Sequence, residues 1–131
     1  MYTVVAGAER LDRELILHWL SEQSYWARGR TREALDAAIA GSRTYGVYTE
    51  DGQVAFARVV TDGATFAWIC DVFVAEEVRG RGIGTMLMTG ILDDLAPLKL
   101  KRTTLATADA HGLYERFGFT PLPDPAMWMA L

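Results

Sequence analysis

The run Phe66-Ala67-Trp68-Ile69-Cys70-Asp71-Val72-Phe73-Val74 is apolar and β-prone, and one carboxylate interrupts it. A short polar turn follows, then Gly80, Gly82 and Gly84. Ile83, Leu87, Met88, Ile91 and Leu92 then recur at helical spacing up to about Leu95, and Pro97 closes the pattern. A buried strand that turns through alternate glycines into an amphipathic helix restricts the fold more than any other stretch. The helix must pack back onto the sheet that holds the strand. The glycines let the backbone approach a neighbour closely, because no Cβ intervenes. The N–H groups of the first helical turn lack partners within the helix and sit at its positive end, a ready anion site. Arg79 and Arg81 add positive charge. On the glycines alone, the same stretch also reads as a tight strand-to-helix connection with two solvated arginines.

The rest of the chain supplies the context. Tyr2 to Ala6 reads as a first strand. Leu11, Leu15, Ile16, Trp19 and Leu20 predict a helix over roughly residues 10–22. His18 lies on it, at the surface or lining a groove, with no second metal-type residue spaced to join it. The segment Ser24-Tyr25-Trp26-Ala27-Arg28-Gly29-Arg30-Thr31 breaks the pattern, and Thr31 can cap a second helix over about 32–41 that ends at Gly41. Two strands around Asp51-Gly52 form a hairpin signature, and Thr61-Asp62-Gly63-Ala64 is a further turn into 66–74. Strands two, three and four then form an antiparallel meander. Residues 102–107 read as a strand parallel to 66–74, since a helix crosses between them. Asp109 is placed to cap a short helix, Ala110 to Phe117, and Met127 to Leu131 reads as a last strand. The fold class is α/β with a mixed, mostly antiparallel central sheet in the order βααβββαβαβ, as a single domain over 1–131.

Composition excludes several function classes. The net charge is −4 over 131 residues, which argues against a nucleic-acid binder with a basic face. Lys99, Lys101 and Arg102 form the one tight basic cluster and read as a solvated strand entrance. A single cysteine, Cys70, permits no internal disulfide, and its apolar surroundings suit an inert thiol. No metal-type cluster is spaced for a site. The N-terminus lacks a leader-like pattern, and no apolar run approaches membrane-spanning length, so a cytoplasmic protein is expected.

Two motifs carry a resemblance. Arg79-x-x-Gly82-x-Gly84, opening the helix after the fourth strand, resembles the Gln/Arg-x-x-Gly-x-Gly/Ala fingerprint of the GCN5-related N-acetyltransferase (GNAT) superfamily. Ala110-His111-Gly112-Leu113-Tyr114-Glu115-Arg116-Phe117-Gly118-Phe119 resembles the superfamily's Ala-x-x-Leu-Tyr-x-x-x-Gly-Phe segment. The whole chain is also similar to small stand-alone bacterial members with Tyr-Trp-Ala-x-Gly-Arg in the first loop. Two positions depart from the pattern. Thr107 stands where many members have Asn, and Glu76 where many have Pro after the strand-four valine.

The resemblance implies acetyl-CoA as co-substrate, without a metal, and transfer of its acetyl group to a primary amine of a small molecule. Arg79, Arg81, Gly82, Gly84 and Thr85 would then surround the pyrophosphate. Val72 and Val74 would pair with the pantetheine arm, and the N–H near Val74 would polarise the thioester carbonyl. Tyr114 matches the usual acid position, where a phenol can protonate the departing thiolate. Asp71, a carboxylate beside the expected reaction centre, is the candidate base or acceptor ligand, with His111 and water as rivals. A structural bond from Asp71 to Arg58 or Tyr25 is the plainer reading. Tyr25, Trp26, Arg28 and Arg30 are acceptor-binding candidates. Their rings could cage a cationic amine and their guanidiniums bind a carboxylate. A non-catalytic acyl-CoA-binding regulatory domain and a protein N-acetyltransferase are the alternatives, and the chain is expected as a monomer or homodimer.

Overall fold

The computed structural model describes all residues, 1–131. One five-stranded sheet holds β1 (Thr3–Ala6), β2 (Arg43–Thr49), β3 (Gly52–Thr61), β4 (Phe66–Val74) and β5 (Arg102–Thr104), side by side in chain order. The pairs β1–β2, β2–β3 and β3–β4 are antiparallel, and β4–β5 is parallel. Helices α1 (Arg13–His18) and α2 (Arg32–Ala40) come between β1 and β2. Helix α3 (Ile83–Leu95) makes the crossover from β4 to β5, and α4 (His111–Glu115) follows β5. The meander and the crossover stand as the turn residues predict. Thr49 pairs with Gly52, whose φ of 132° suits a tight hairpin turn and is one that L side chains avoid. Thr31 starts α2 by accepting a hydrogen bond from the Ala34 N–H at 3.1 Å.

Helices cover both faces of the sheet. On one face, the Tyr45 hydroxyl of β2 donates to Asp94 of α3 at 2.6 Å, and Arg43 pairs with the same carboxylate at 3.6 Å. Leu87, Met88 and Ile91 of α3 are fully buried there. On the other face Trp19 stacks on Phe73 of β4, with ring centroids 5.5 Å apart. Ile16, Leu20 and Leu35 are fully buried too, and each such side chain contributes about 1.5–3 kcal/mol.

β4 holds an irregularity that the pattern does not announce. Phe56 pairs with Phe73, yet Arg58 pairs with Cys70, so Ala57 stands opposite two residues, Asp71 and Val72. This is a β-bulge. Asp71 takes φ 54°, a left-handed conformation that Asp tolerates better than most residues. The bulge changes which face the odd-numbered residues occupy. Before it, Ile69 pairs with Val59, which pairs with Arg43 on the α3 face. After it, Phe73 lies against Trp19 on the α1–α2 face. Asp71 is therefore directed away from the apolar underside of α3 and toward the loop between α1 and α2.

Four local expectations need correction. The first helix is regular only to His18; Trp19–Gln23 is a π-helical turn, with the Ser24 N–H donating to the Trp19 carbonyl at 3.0 Å. Strand 102–107 stops at Thr104. Asp109 does not cap α4. Instead Thr107 Oγ1 accepts from the N–H groups of Asp109 (3.4 Å) and Ala110 (3.0 Å). The last strand, Met127 to Leu131, is not formed: a single turn, Pro125–Met127, leads into an exposed end. Pro121, Pro123 and Pro125 precede it and keep its approach irregular.

Candidate functional site

The site is built where β4 and β5 part. β5 pairs only with Phe66, Ala67 and Trp68. Beyond them, Ile69 to Val74 has no strand on that side. The Ala75 N–H donates to the Val54 carbonyl at 2.9 Å, so Phe73 and Ala75 bond toward β3 while the polar groups of Val72 and Val74 point to the open edge. A cleft of about 910 Å³ occupies the gap. Its walls are residues 69–74, residues 105–110, the start of α3, α4, and the loop after α1.

At one end of the cleft lies the glycine turn. Gly80 and Gly82 take φ 81° and 79°, and α3 begins with the Met86 N–H donating to the Gly82 carbonyl at 3.0 Å. None of the N–H groups from Gly80 to Thr85 donates within the chain. These donors converge at the positive end of α3, which is the arrangement that holds phosphate. No atom lies within 4 Å of where a Cβ of Gly82 would stand, so its backbone angle and open approach, rather than internal crowding, require glycine. Arg79 turns back on β4: its Nε donates to the Val74 carbonyl at 2.9 Å, and its guanidinium lies 5.1 Å from the Phe73 ring centre. Arg81 donates to the Tyr2 hydroxyl at 3.2 Å.

Tyr114 projects from α4 into the cleft and is 8% exposed. Its ring meets Phe119 edge-on, and its hydroxyl has no hydrogen-bond partner within the chain. Burial raises its pKa above the usual phenol value, with smaller contributions from Tyr25 and Asp109, so the group stays protonated at neutral pH.

Opposite stands Asp71, 4% exposed. Oδ1 accepts from Trp26 Nε1 at 3.0 Å; Oδ2 accepts from Arg58 Nε at 2.6 Å and from Arg30 Nη1. Burial pushes this carboxyl upward, but hydrogen bonds and charge from Arg30 and Arg58 outweigh it and hold the pKa below the ordinary value. A weakened carboxylate with both oxygens occupied is poorly suited to be a proton acceptor. The geometry favours the plainer reading, a structural bond to Arg58, and adds Trp26 and Arg30, so that Asp71 anchors the loop between α1 and α2. Burial pushes the neighbouring Cys70 thiol up to about 11, which suits an inert group.

The same loop closes over the cleft. The Tyr25 hydroxyl accepts from the Ala108 N–H at 2.8 Å, joining the first loop to the segment after β5. Tyr25 meets Trp26 edge-on at 5.0 Å, and Trp26 tilts against Phe73 at 6.5 Å.

One cleft thus brings together Tyr25, Trp26, Arg30, Asp71, Val72, Val74, Arg79, Gly84 and Tyr114. Arg81, Gly82 and Thr85 lie at the adjoining helix start and are exposed. Arg28 is exposed and outside the cleft walls, so it is not placed to hold an acceptor there. Arg58 and Phe73 line the cleft without having been among the binding candidates. Their signal lay in the register of β3 against β4, which the bulge shifts. No three His, Cys, Asp or Glu side chains stand where they could share a metal, and no helix is long and apolar enough to cross a membrane.

Comparison with known proteins agrees with this architecture. The family model described as an acetyltransferase (GNAT) domain matches residues 40–121. A Xanthomonas campestris pv. campestris protein assigned to the GNAT family has a crystal structure that superposes with a TM-score of 0.95 at 41% identity, covering 100% of this chain and 92% of that one. A Clostridium acetobutylicum structure with acetyl-CoA shares the fold at 14% identity, with a TM-score of 0.74 over 100% of this chain and 96% of its own. A Gibberella zeae protein named for acetyltransferase activity is 26% identical over 72% of this chain, and the match spans 64% of that relative's length.

Proposed function

The chain belongs to the GNAT acetyltransferase family, and from that premise we propose that it moves the acetyl group of acetyl-CoA to a primary amine of a small molecule by direct attack. The observation that carries this reading is the continuity of one cleft. It runs from a cradle of unspent N–H groups, along an unpaired strand edge, to a buried phenol. Acetyl-CoA needs those three things in that order: an anion site for its pyrophosphate, an edge for its amide-bearing arm, and an acid for its thiolate.

The residues divide the work. N–H groups near Arg81, Gly82, Gly84 and Thr85 hold the pyrophosphate. Arg79 occupies the Val74 carbonyl, which leaves the Val74 N–H and the polar groups of Val72 for the arm and the thioester oxygen. Tyr114 gives its proton to the departing sulfur and stays neutral until then. The acceptor amine loses its proton to water or to His111, which is exposed at the start of α4. The closure made by Tyr25 and Ala108 favours a small acceptor over a protein chain.

The test is a panel of amines assayed for release of free CoA. Acceptor-dependent release supports the proposal. Saturable acetyl-CoA binding without release across the panel replaces it with a binding module.

A further inference from the structure

We infer that the amine acceptor also carries a carboxylate, received by Arg30 and Arg58, so that the substrate class is an amino acid or a related amino carboxylate. The inference rests on the acetyltransferase reading and deepens it.

Asp71 brings one negative charge to the acceptor side of the cleft; Arg30 and Arg58 bring two positive charges. Neither arginine pairs with any other acid in the chain. One positive charge is left over. The two side chains are 20% and 16% exposed, so little water reaches them. A guanidinium in such a place is costly to leave without an anion.

The donor inventory agrees. A guanidinium has five N–H donors in a planar fork. Arg30 gives Nη1 to Asp71, and its Nε and Nη2 have no acceptor in the chain. Arg58 gives Nε to Asp71 and Nη1 to Ser42 at 3.2 Å, and its Nη2 is likewise unspent. Both residues line the cleft, so these donors are available to a planar carboxylate. The phosphates of CoA belong elsewhere, at the start of α3. Arg30 and Arg58 stand on the α1–α2 side of β4, where the acceptor enters.

The receptor is also held in shape beforehand. Ser24 Oγ donates to the Leu20 carbonyl at 2.6 Å and accepts from the Ala27 N–H at 3.1 Å. The Gly29 N–H donates to the Ser21 carbonyl at 3.1 Å, and that of Arg30 to the Ala27 carbonyl at 3.0 Å. The loop therefore presents Arg30 with little ordering left to do on binding. The surplus charge also discriminates: an acceptor arriving as a bare ammonium or polyamine is repelled, and a zwitterion is not.

The experiment compares matched sets, each an amino acid, its carboxamide and its decarboxylated amine, by CoA release, with rates expressed per unprotonated amine. The carboxylate members are expected to lead by about 10- to 100-fold in kcat/KM, the range of a charge-assisted hydrogen-bonded contact. Arg30→Gln is expected to abolish that lead with the acetyl-CoA KM within about threefold. If removing one guanidinium disturbs folding, Arg30→Lys keeps the charge beside Asp71 but loses the planar fork, and is expected to reduce the lead. Carboxamides or plain amines equal to the acids in the unaltered enzyme overturn the inference and leave the acetyltransferase reading standing. Saturable acetyl-CoA binding with no acceptor-dependent release sinks both.

Discussion

Asp71→Asn isolates the role of one charge. Asn matches the shape of Asp and is equally tolerant of φ 54°, so the bulge is not strained by the change. What is lost is the negative charge that Arg30 and Arg58 share. Breaking a buried ion pair by removing one partner costs about 3–5 kcal/mol. Both arginines retain some contact with the cleft, so the lower end applies, about 3 kcal/mol. At about 2.1 cal/mol/K per residue, a chain of 131 residues has an unfolding entropy near 0.28 kcal/mol/K. The expected fall in Tm is then about 11 °C, read by thermal unfolding near pH 7. The difference also carries a pH signature. The folded-state pKa of Asp71 lies below its unfolded value, so its stabilisation is complete above about pH 4. As pH falls through the lower folded value, wild type loses that stabilisation and the two Tm curves converge. A drop in Tm of less than about 2 °C, or a gap that persists unchanged into acid, refutes the anchoring role. A loss of kcat with Tm and acetyl-CoA KM unchanged would return Asp71 to the chemistry.

Other expected outcomes follow from the same geometry. Tyr114→Phe lowers kcat by about 100-fold at nearly unchanged acetyl-CoA KM, the lower range of a general acid's contribution; an unchanged kcat removes the assignment. Wild-type activity rises with pH as the acceptor amine deprotonates, and the alkaline decline comes only above about pH 10, because burial lifts the Tyr114 pKa beyond the usual phenol value. Gly82→Glu abolishes acetyl-CoA binding measured by titration, since it sets a carboxylate against the phosphate cradle. Gly82→Ala has room for its methyl group and is expected to cost about 1–2 kcal/mol of stability through its φ of 79°. Tight acetyl-CoA binding by the Glu variant contradicts the cradle.

The donor half of the site was legible because its signals are local. Three glycines spaced two apart, a strand before them and a helix after them specify the cradle within about twenty residues. Tyr114 sits in a second short motif. The acceptor half was legible only in part: Tyr25, Trp26, Arg30 and Asp71 were candidates and line the cleft, but the way β4 turns Asp71 toward them was not readable, and β4 shows why. Its odd-numbered residues from Ala67 to Phe73 are all buried. A strict period of two reads as one regular strand with a single buried face. In fact the bulge at Asp71 moves those positions from the α3 face to the α1–α2 face, and both faces are covered. Hydrophobic periodicity cannot report a change of side when each side is buried. Without the bulge, Asp71 is a carboxylate aimed at the apolar underside of α3, an improbable burial that invites a catalytic explanation. With it, the same carboxylate faces three donors. The missing last strand has a different cause: Met127 to Leu131 has strand-like composition, but three nearby prolines disrupt the approach to it.

This division has a consequence for how the chemistry is shared. The groups assigned to acetyl-CoA lie on β4, α3 and α4 and in the turn between β4 and α3, where Arg79 bonds back to Val74 five residues away. The groups assigned to the acceptor are joined through Asp71, which reaches 41 residues back to Arg30 and 45 back to Trp26, and through Tyr25, whose ring meets Trp26 and whose hydroxyl accepts from the Ala108 N–H. Asp71 sits next to Val72, whose polar groups face the open strand edge. Asp71 thus anchors the acceptor loop and also occupies the bulge beside the strand edge proposed to hold the thioester. A substitution in Arg30 or Trp26 perturbs mainly the acceptor side, because Asp71 keeps its other partners. A substitution of Asp71 by a residue that does not tolerate φ 54° perturbs both sides together. The kinetic mark of that asymmetry is an acceptor KM that moves alone in the first case, and a kcat and acceptor KM that move together in the second.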